Sequence, residues 1–235
     1  MRAVPATARA LLLAIIFVSF AFAASSPSAQ TPDAGAIGGH VTLTARVRGS
    51  RQASAIYPSR GVPRHDPPRI PEIRNVVVYL KDVAFRGTLP LTTGEMRQEH
   101  ETFVPHVLAI TKGSTVAFPN ADPIFHNVFS LSHAATFDLG RYPQGQARTE
   151  RFLQAGLVKL YCRIHSQMSA DILVLDHPYF VTPADDGTFR IPNVPPGQYT
   201  VVGWHERIGE RASPIRVEPG RTTGVELTLP VEDPQ

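Results

Sequence analysis

The chain has 235 residues, with 23 lysines and arginines against 20 aspartates and glutamates, and a formal net charge of +3 at pH 7. Arg2 and Arg9 lie near the N-terminus in a stretch without acidic residues, so the rest of the chain is almost neutral. Such a chain lacks the basic surface typical of nucleic-acid-binding proteins, and we expect no nucleic-acid partner. Because there is only 1 cysteine, an internal disulfide is excluded.

The N-terminus has the three parts of a secretory signal peptide. Residues 1–10 carry arginines but no acid, residues 11–23 are mostly apolar, and Ala21 and Ala23 form an A-x-A cleavage site. The apolar run is shorter than the roughly 20 residues that span a bilayer, so an uncleaved anchor is the weaker alternative. We expect cleavage after 1–23, a periplasmic or otherwise exported protein, and no membrane span after cleavage.

The remaining sequence favours strands over helices. Residues 24–37 are small and polar, which predicts a flexible lead-in. From residue 38, short runs rich in Val, Ile, Phe and Tyr alternate with turn residues. No window keeps a helical period, and 22 prolines argue against long helices, so an all-β, sandwich-like fold is predicted. The candidate strands include NVVVYLKDV, FVPHVLAI, HNVFSLS, LVKLYCRI, SADILVLD and GQYTVVGWH.

Two changes of composition divide the ordered part of the chain. Residues 57–71 contain too many prolines for a central strand and predict a long loop. The composition changes again near residue 177. We therefore predict an N-terminal strand and Pro-rich loop at 38–74, a central module at 75–176, and a smaller β unit at 177–235.

The stretch LYCRIHSQMSADILV, residues 160–174, contains the cysteine, Cys162, followed by His165 and Met168. A thiolate, an imidazole and a thioether are soft and borderline ligands, and this set suits copper as it cycles between two oxidation states. Cys162 would end a strand, and the other two residues would lie on the short loop after it. The spacing therefore predicts a copper-binding loop.

A blue-copper site needs a second imidazole from elsewhere in the chain. His126 opens an apolar strand after a turn at 120–123, His106 lies in an alternating run, and His133 follows the sequence FSLS. An upstream strand end beside the cysteine strand would lie at the same end of a sandwich, which favours His126. The residues alone leave His106 and His133 open.

The pattern FPNxDxxxHNVFS followed by LYCRIHSQMSADI resembles the cupredoxins, the small blue-copper proteins that include plastocyanin, pseudoazurin and amicyanin. The Cys-x-x-His-x-x-Met spacing is most similar to amicyanin, and the resemblance covers roughly residues 76–176. It implies a Greek-key β-sandwich with one type 1 copper per chain. The ligands implied are His126, Cys162, His165 and Met168.

The same resemblance implies a one-electron carrier rather than an enzyme, with the edge of His165 as the point of electron transfer and a transient docking site for redox partner proteins. Asn127 stands where the family has an asparagine that ties the ligand loops together and directs a backbone N–H at the thiolate. Four apolar residues are candidates for a shell that excludes water from the metal: Phe125, Phe129, Tyr161 and Ile164.

Other functions are left open or disfavoured by specific features. A periplasmic copper-binding or copper-delivery protein would use the same ligands, and a β-sandwich recognition module would have no redox role. Structural zinc prefers Cys and His without thioether, and covalent haem needs a second cysteine. No local signature of a catalytic cysteine is present, and the His-rich motifs of multicopper oxidases are missing.

The C-terminal segment DDGTFRIPNVPPGQYTVVGWHE resembles the second half of the carboxypeptidase regulatory-like, or transthyretin-like, β-sandwich. The resemblance implies a small prealbumin-like unit, and GGHVTLTARV with NVVVYLKDV could supply its first half from far upstream. One hypothesis is that residues 38–83 and 177–230 pair across the central module. In the alternative, NVVVYL belongs to the copper-binding sheet and the tail packs alone.

Overall fold

The computed structural model describes residues 33–44 and 70–229; the predicted signal peptide and most of the Pro-rich loop lie outside these ranges. The described residues form 17 strands and one short 3-10 helix, Glu72–Asn75, and the all-β, sandwich-like prediction is confirmed. None of these residues lies in a helix long and apolar enough to cross a membrane. The strands are β1 (Gly35–Leu43), β2 (Val76–Lys81), β3 (Thr93–Glu95), β4 (Arg97–Glu99), β5 (Thr102–Val104), β6 (Val107–Thr111), β7 (Thr115–Pro119), β8 (His126–Ser132), β9 (Ala135–Tyr142), β10 (Ala147–Arg151), β11 (Gly156–Tyr161), β12 (Ser169–Leu175), β13 (Phe180–Val181), β14 (Thr188–Val194), β15 (Gly197–His205), β16 (Gly209–Val217) and β17 (Thr222–Leu229).

Strands β3 to β12 form what we call the central sandwich. One sheet has the order β6-β12-β11-β8-β9, a second has the order β10-β7-β3, and β4 pairs with β5 in a small hairpin. Along β7 the side chains alternate between buried and half-buried, as expected for a strand with one face on a core. The buried apolar residues of this core include Phe118, Val128, Phe152, Val158, Leu160, Cys162, Met168 and Ile172.

Strands from both ends of the described chain form a second unit, the terminal sandwich. Its sheets are β14-β1-β17 and β13-β2-β15-β16. Strand β1 runs parallel to β17 and antiparallel to β14, and β2 runs antiparallel to β13 and β15. The central sandwich thus comes between β2 and β13 in the sequence. NVVVYL, which falls within the predicted 75–176 module, lies in β2 and pairs with the C-terminal strands.

A shared apolar layer joins the two sandwiches. Strand β12 is buried along almost its whole length, because it packs on both faces. Ala170, Ile172 and Val174 face the core of the central sandwich, whereas Leu173 and Leu175 belong to the layer against β2 and β15. We call this layer the junction. Its buried members are Val77, Tyr79, Val107, Leu173, Leu175, Val202 and Trp204.

The structure corrects several predicted element boundaries. The predicted strand FVPHVLAI is divided into β5 and β6, because Pro105 has no backbone N–H to offer a sheet. His106 therefore lies in a connection and not in a strand. Strand β1 begins at Gly35, inside the segment predicted as lead-in, and its residues Ala36 and Ile37 are buried. Strand β9 was not among the predicted strands.

Candidate metal centre

Two neighbouring strands of the central sandwich bring the predicted ligands together. His126 is the first residue of β8, Cys162 directly follows β11, and His165 lies in the loop before β12. Because β8 and β11 are antiparallel neighbours, the start of one lies beside the end of the other. One imidazole nitrogen from each histidine and the cysteine sulfur lie within 4.8 Å of one another.

The distances between these atoms fit a single ion. The Nδ1 atoms of His126 and His165 are 3.1 Å apart, and Sγ of Cys162 lies 3.7 Å from Nδ1 of His165. A zinc-sized ion lies about 2.0 Å from imidazole nitrogens and about 2.3 Å from thiolate sulfurs, so donors around it are about 3 to 4 Å apart. The donor spacing and the mixed N and S chemistry therefore both suit a borderline or soft metal.

Met168 lies in the same buried apolar cluster as Cys162. Its backbone closes the loop, since its N–H donates to the carbonyl of His165 at 3.0 Å and its carbonyl accepts from the N–H of Cys162 at 3.3 Å. The side chain is only 1% exposed. These contacts hold the loop in shape, and the role of the Met168 sulfur as an axial ligand stays a prediction.

The surroundings of Cys162 favour the thiolate. Burial by itself would raise the pKa of the thiol, but hydrogen bonds from His126, His165 and the backbone N–H groups of Ile164 and Asn127 outweigh it and lower the pKa to about 5. The thiolate is the form of cysteine that binds metals. The site therefore presents the sulfur in its ligand form near neutral pH.

Asp122 orients the first histidine. The Nε2–H of His126 donates to Oδ2 of Asp122 at 2.8 Å, which leaves Nδ1 directed at His165. Burial alone would lower the pKa of His126, but the hydrogen bonds and charges of Asp122 and Cys162 raise it to about 9. These shifts favour a protonated His126 beside the Cys162 thiolate near neutral pH, and a metal cation would take the place of the imidazole proton.

The carboxylate of Asp122 is itself held by the turn between β4 and β5. It accepts the backbone N–H of His100 at 2.7 Å and that of Glu101 at 2.9 Å. Both turn residues have positive φ, at 55° and 53°, as in the two-residue turns that join hairpin strands. The side chain of Gln167, in the loop between β11 and β12, donates to Glu101 at 2.8 Å. The hairpin therefore braces both halves of the candidate site.

Asn127 links the two segments that carry the ligands. Its Nδ2 donates to Oδ1 of Asp138 at 2.6 Å and to the carbonyl of Gly140 at 3.0 Å. Its Oδ1 accepts the backbone N–H of Arg163 at 3.3 Å, and Arg163 in turn donates to Asp138 at 2.7 Å. Since Asn127 is 1% exposed, this network fixes the cysteine loop against β8 and β9 from within.

Three of the four residues predicted to form an apolar shell are exposed. Phe125 is 55% exposed, Tyr161 is 38% exposed and Ile164 is 36% exposed. Phe129 packs against Tyr161, with ring centroids 5.8 Å apart, and lies under the guanidinium of Arg163. Phe125, Tyr161 and Ile164 thus contribute exposed apolar surface, and their role in excluding water from a metal stays a prediction.

The remaining predicted histidines lie apart from this group. His106 contacts Glu206, with Nε2 and Oε2 2.5 Å apart, and His133 lies between β8 and β9. The sequence reasoning placed Asp122 only in a turn and missed its contact with His126. The signal that could have found it is the spacing of four residues between an aspartate and a histidine that opens a strand.

Comparison with known proteins gives partial matches. Similar solved structures include a copper-containing nitrite reductase from Thermus scotoductus SA-01, with 24% identity, a TM-score of 0.35, and coverage of 40% of this chain and 25% of that one. A reduced amicyanin mutant has 21% identity, a TM-score of 0.33, and coverage of 35% and 82%. A purple cupredoxin from Nitrosopumilus maritimus has 21% identity, a TM-score of 0.32, and coverage of 35% and 99%.

A family model described as polysaccharide lyase family 4, domain II, matches residues 164–225. This stretch runs from the loop between β11 and β12 into β17. The description differs from the carboxypeptidase regulatory-like family, so that part of the sequence resemblance is not confirmed. No curated protein matches the chain.

Proposed function

We propose that this protein is an exported type 1 copper protein that carries single electrons and is not an enzyme. The observation that carries the proposal is the convergence of His126, Cys162 and His165, whose donor atoms lie within 4.8 Å of one another at one end of the central sandwich. Two imidazoles and a thiolate, with Met168 as the axial ligand, form the set that favours copper over harder metals.

Copper supplies the one-electron couple, and the chain supplies ligands that are already in place. Asp122 fixes the ring of His126, and Asn127 fixes the backbone next to Cys162. Such outer hydrogen bonds hold metal ligands in one orientation and tune their basicity. Because the ligands are braced before any metal arrives, little rearrangement would oppose a change of oxidation state.

His165 is the proposed point of electron transfer. Its side chain is partly buried, whereas His126 and Cys162 are buried. Phe125 and Ile164 stand next to the two histidines in sequence and expose much of their apolar surface. A small apolar patch around a partly exposed ligand suits the low-area, short-lived contacts typical of electron-transfer partners. The redox partners are proposed to be proteins outside the cytoplasm.

Copper delivery is the competing function for the same ligands. Delivery requires that an acceptor reach the ion, but His126 is 0% exposed, Cys162 is 4% exposed and Met168 is 1% exposed. Only His165 offers access from outside among the four predicted ligands. This burial favours retention of the ion during repeated oxidation and reduction.

The test is to add one equivalent of Cu(II) to the full chain and record its visible absorption spectrum. We expect an intense thiolate-to-copper charge-transfer band that disappears on reduction and returns on oxidation over many cycles. Cys162→Ser is the matched variant, since it removes only the sulfur, and it should give no such band. A wild-type protein that stays colourless with Cu(II), or that loses copper at each reduction, would contradict the proposal.

A further inference from the structure

A second group of ligand-type side chains meets away from Cys162. His106, Asp171 and Glu206 each place one donor atom within 4.8 Å of the others. Nε2 of His106 and Oε2 of Glu206 are 2.5 Å apart, a hydrogen-bond distance that would widen to about 3 Å around an ion. The side chains of His106 and Glu206 are each 13% exposed, and Asp171 is 4% exposed. The group is therefore compact and largely removed from water.

Three separate segments build this group. His106 lies between β5 and β6, Asp171 lies on β12, and Glu206 directly follows β15. The backbone N–H of Asp171 donates to the carbonyl of His106 at 3.0 Å, which fixes these two residues relative to each other. Glu206 comes from the terminal sandwich, while the other two come from the central one. The group thus connects the two sandwiches.

The position of Asp171 is unusual for a carboxylate. Along β12 it alternates with Ala170 and Ile172 and so shares the face that carries Leu173, a member of the apolar junction. A carboxylate placed at the edge of an apolar layer loses hydration, and that loss must be offset by a cation or by hydrogen bonds. A second carboxylate at the same point, Glu206, raises the demand for positive charge.

We propose that His106, Asp171 and Glu206 bind a zinc-type divalent ion that clamps the two sandwiches together. One imidazole and two carboxylates are ligands that zinc accepts, and three protein ligands leave its fourth position to water. The imidazole disfavours Mg²⁺ and Ca²⁺, which take oxygen ligands, and the lack of sulfur disfavours Cu(I). This site shares no ligand with the proposed copper centre.

The test measures zinc binding and zinc-dependent thermal stability in the full chain. The protein is first loaded with one equivalent of copper and then dialysed against Zn²⁺. We expect one further equivalent of zinc and a raised melting temperature, since an ion that binds only the folded state stabilises it. Glu206→Gln should weaken this binding by more than about tenfold, because even an outer partner of a ligand contributes about that much.

The control variant is Glu218→Gln, which alters an exposed glutamate that pairs with Arg221 and lies outside this group. It should keep the zinc equivalent and the thermal shift. His106→Gln provides a second variant if Glu206→Gln fails to fold. The proposal is overturned if the wild type takes up no second equivalent, or if Glu206→Gln and His106→Gln both bind zinc as the wild type does.

The variant Cys162→Ser tests the zinc proposal independently of the copper proposal. In a Cys162→Ser chain that receives zinc alone, the group of His106, Asp171 and Glu206 should still bind one equivalent, whether or not the wild type ever binds copper. Zinc uptake that is abolished by Cys162→Ser but unaffected by Glu206→Gln would place the ion at the other site and contradict the proposal.

Discussion

The molecule contains two contacts between a histidine and a carboxylate that look alike and differ in consequence. At His126 the carboxylate of Asp122 takes Nε2 and leaves Nδ1 directed at His165, 3.1 Å away. At His106 the carboxylate of Glu206 meets Nε2, and Asp171 adds a second carboxylate to the group. In the first case the acid orients a proposed ligand, and in the second we propose that the acid is itself a ligand.

The two sites differ in the other donor atoms that lie near each histidine. The donor set at His126 includes a thiolate sulfur inside an apolar core, while the set at His106 is nitrogen and oxygen at the edge of the junction. Soft and hard donors select different metals, so two similar contacts would give one protein two metal specificities. The role of a histidine–carboxylate pair therefore depends on which further donor atoms lie near the imidazole ring.

The largest expected effect separates the two histidines directly. His126→Asn should remove the visible charge-transfer band and weaken copper binding by more than the about 10-fold to 100-fold that an outer partner contributes. His106→Gln should leave the band and the copper affinity unchanged, because His106 lies outside the group that contains Cys162. Spectra and copper competition with a chelator measure both. If both variants lost the charge-transfer band and copper affinity to the same extent, the two sites would not be separate.

The pairing of Cys162 with His165 could be predicted from the sequence because their spacing is local. Cys162 and His165 lie three positions apart on one loop, and His126 opens the strand that pairs next to the cysteine strand. A short loop after a strand can only present its side chains near that strand end. Cys162 and His165 therefore indicate a candidate site before the rest of the fold is known.

The second group could not be predicted in this way. His106, Asp171 and Glu206 lie on three distant segments, and they meet only because β12 packs through its second face against β15. The run FVPHVLAI alternates like a single strand, so His106 is predicted within a strand. In the structure the run is divided at Pro105, and His106 lies between β5 and β6. Non-local packing of this kind leaves no periodic pattern in the sequence.

Asp122 and β9 show two further limits of the sequence. Asp122 sits among turn-forming residues, and its role depends on backbone N–H groups from the β4–β5 turn that no local pattern connects to it. Strand β9 contains Asp138 and Gly140, residue types that are depleted in strands, although its side chains alternate in burial. Local propensity therefore pointed away from the observed strand at β9, whereas at Asp122 it predicted the turn but not the contact with His126.

A smaller effect tests whether Asp122 orients its histidine. Asp122→Asn keeps the shape of the side chain but removes its charge, so the ring of His126 should become a weaker ligand. Copper affinity should fall about 10-fold to 100-fold, the loss typical for outer partners of metal ligands. The reduction potential should rise, because a nearby negative charge favours the more positive oxidation state. A chelator competition and a redox titration measure the two quantities.

The control for Asp122→Asn is Glu95→Gln, which changes an exposed acid that pairs with Arg97 on the surface. It should change neither quantity. If Asp122→Asn has the affinity and potential of the wild type, then the backbone alone positions His126, and the contrast with His106 loses its basis.

The smallest effect concerns His177, a histidine that is 3% exposed and whose Nδ1 accepts the backbone N–H of Tyr179 at 3.2 Å. Burial lowers the pKa of His177 below its usual 6.5, although Asp176 and the backbone at Leu80 act in the opposite direction. His126, with a carboxylate and a thiolate at its ring, is shifted the other way. The comparison thus extends to a third histidine, for which burial outweighs the nearby charge.

The sign of the stability change follows from that lowered pKa. Unfolded chains take up a proton on His177 at a higher pH than the folded chain does, so the free energy of unfolding falls as pH drops below about 6.5. His177→Gln keeps a polar side chain without an ionisable ring and should make this acid dependence shallower. Urea unfolding of both proteins at several pH values between about 7 and 5 measures the difference. Protonation of His177 would also break its hydrogen bond with the backbone N–H of Tyr179. Identical pH dependence of the free energy of unfolding in the two proteins would contradict the prediction. It would mean that the imidazole reaches solvent and takes up its proton without disturbing the chain after β12.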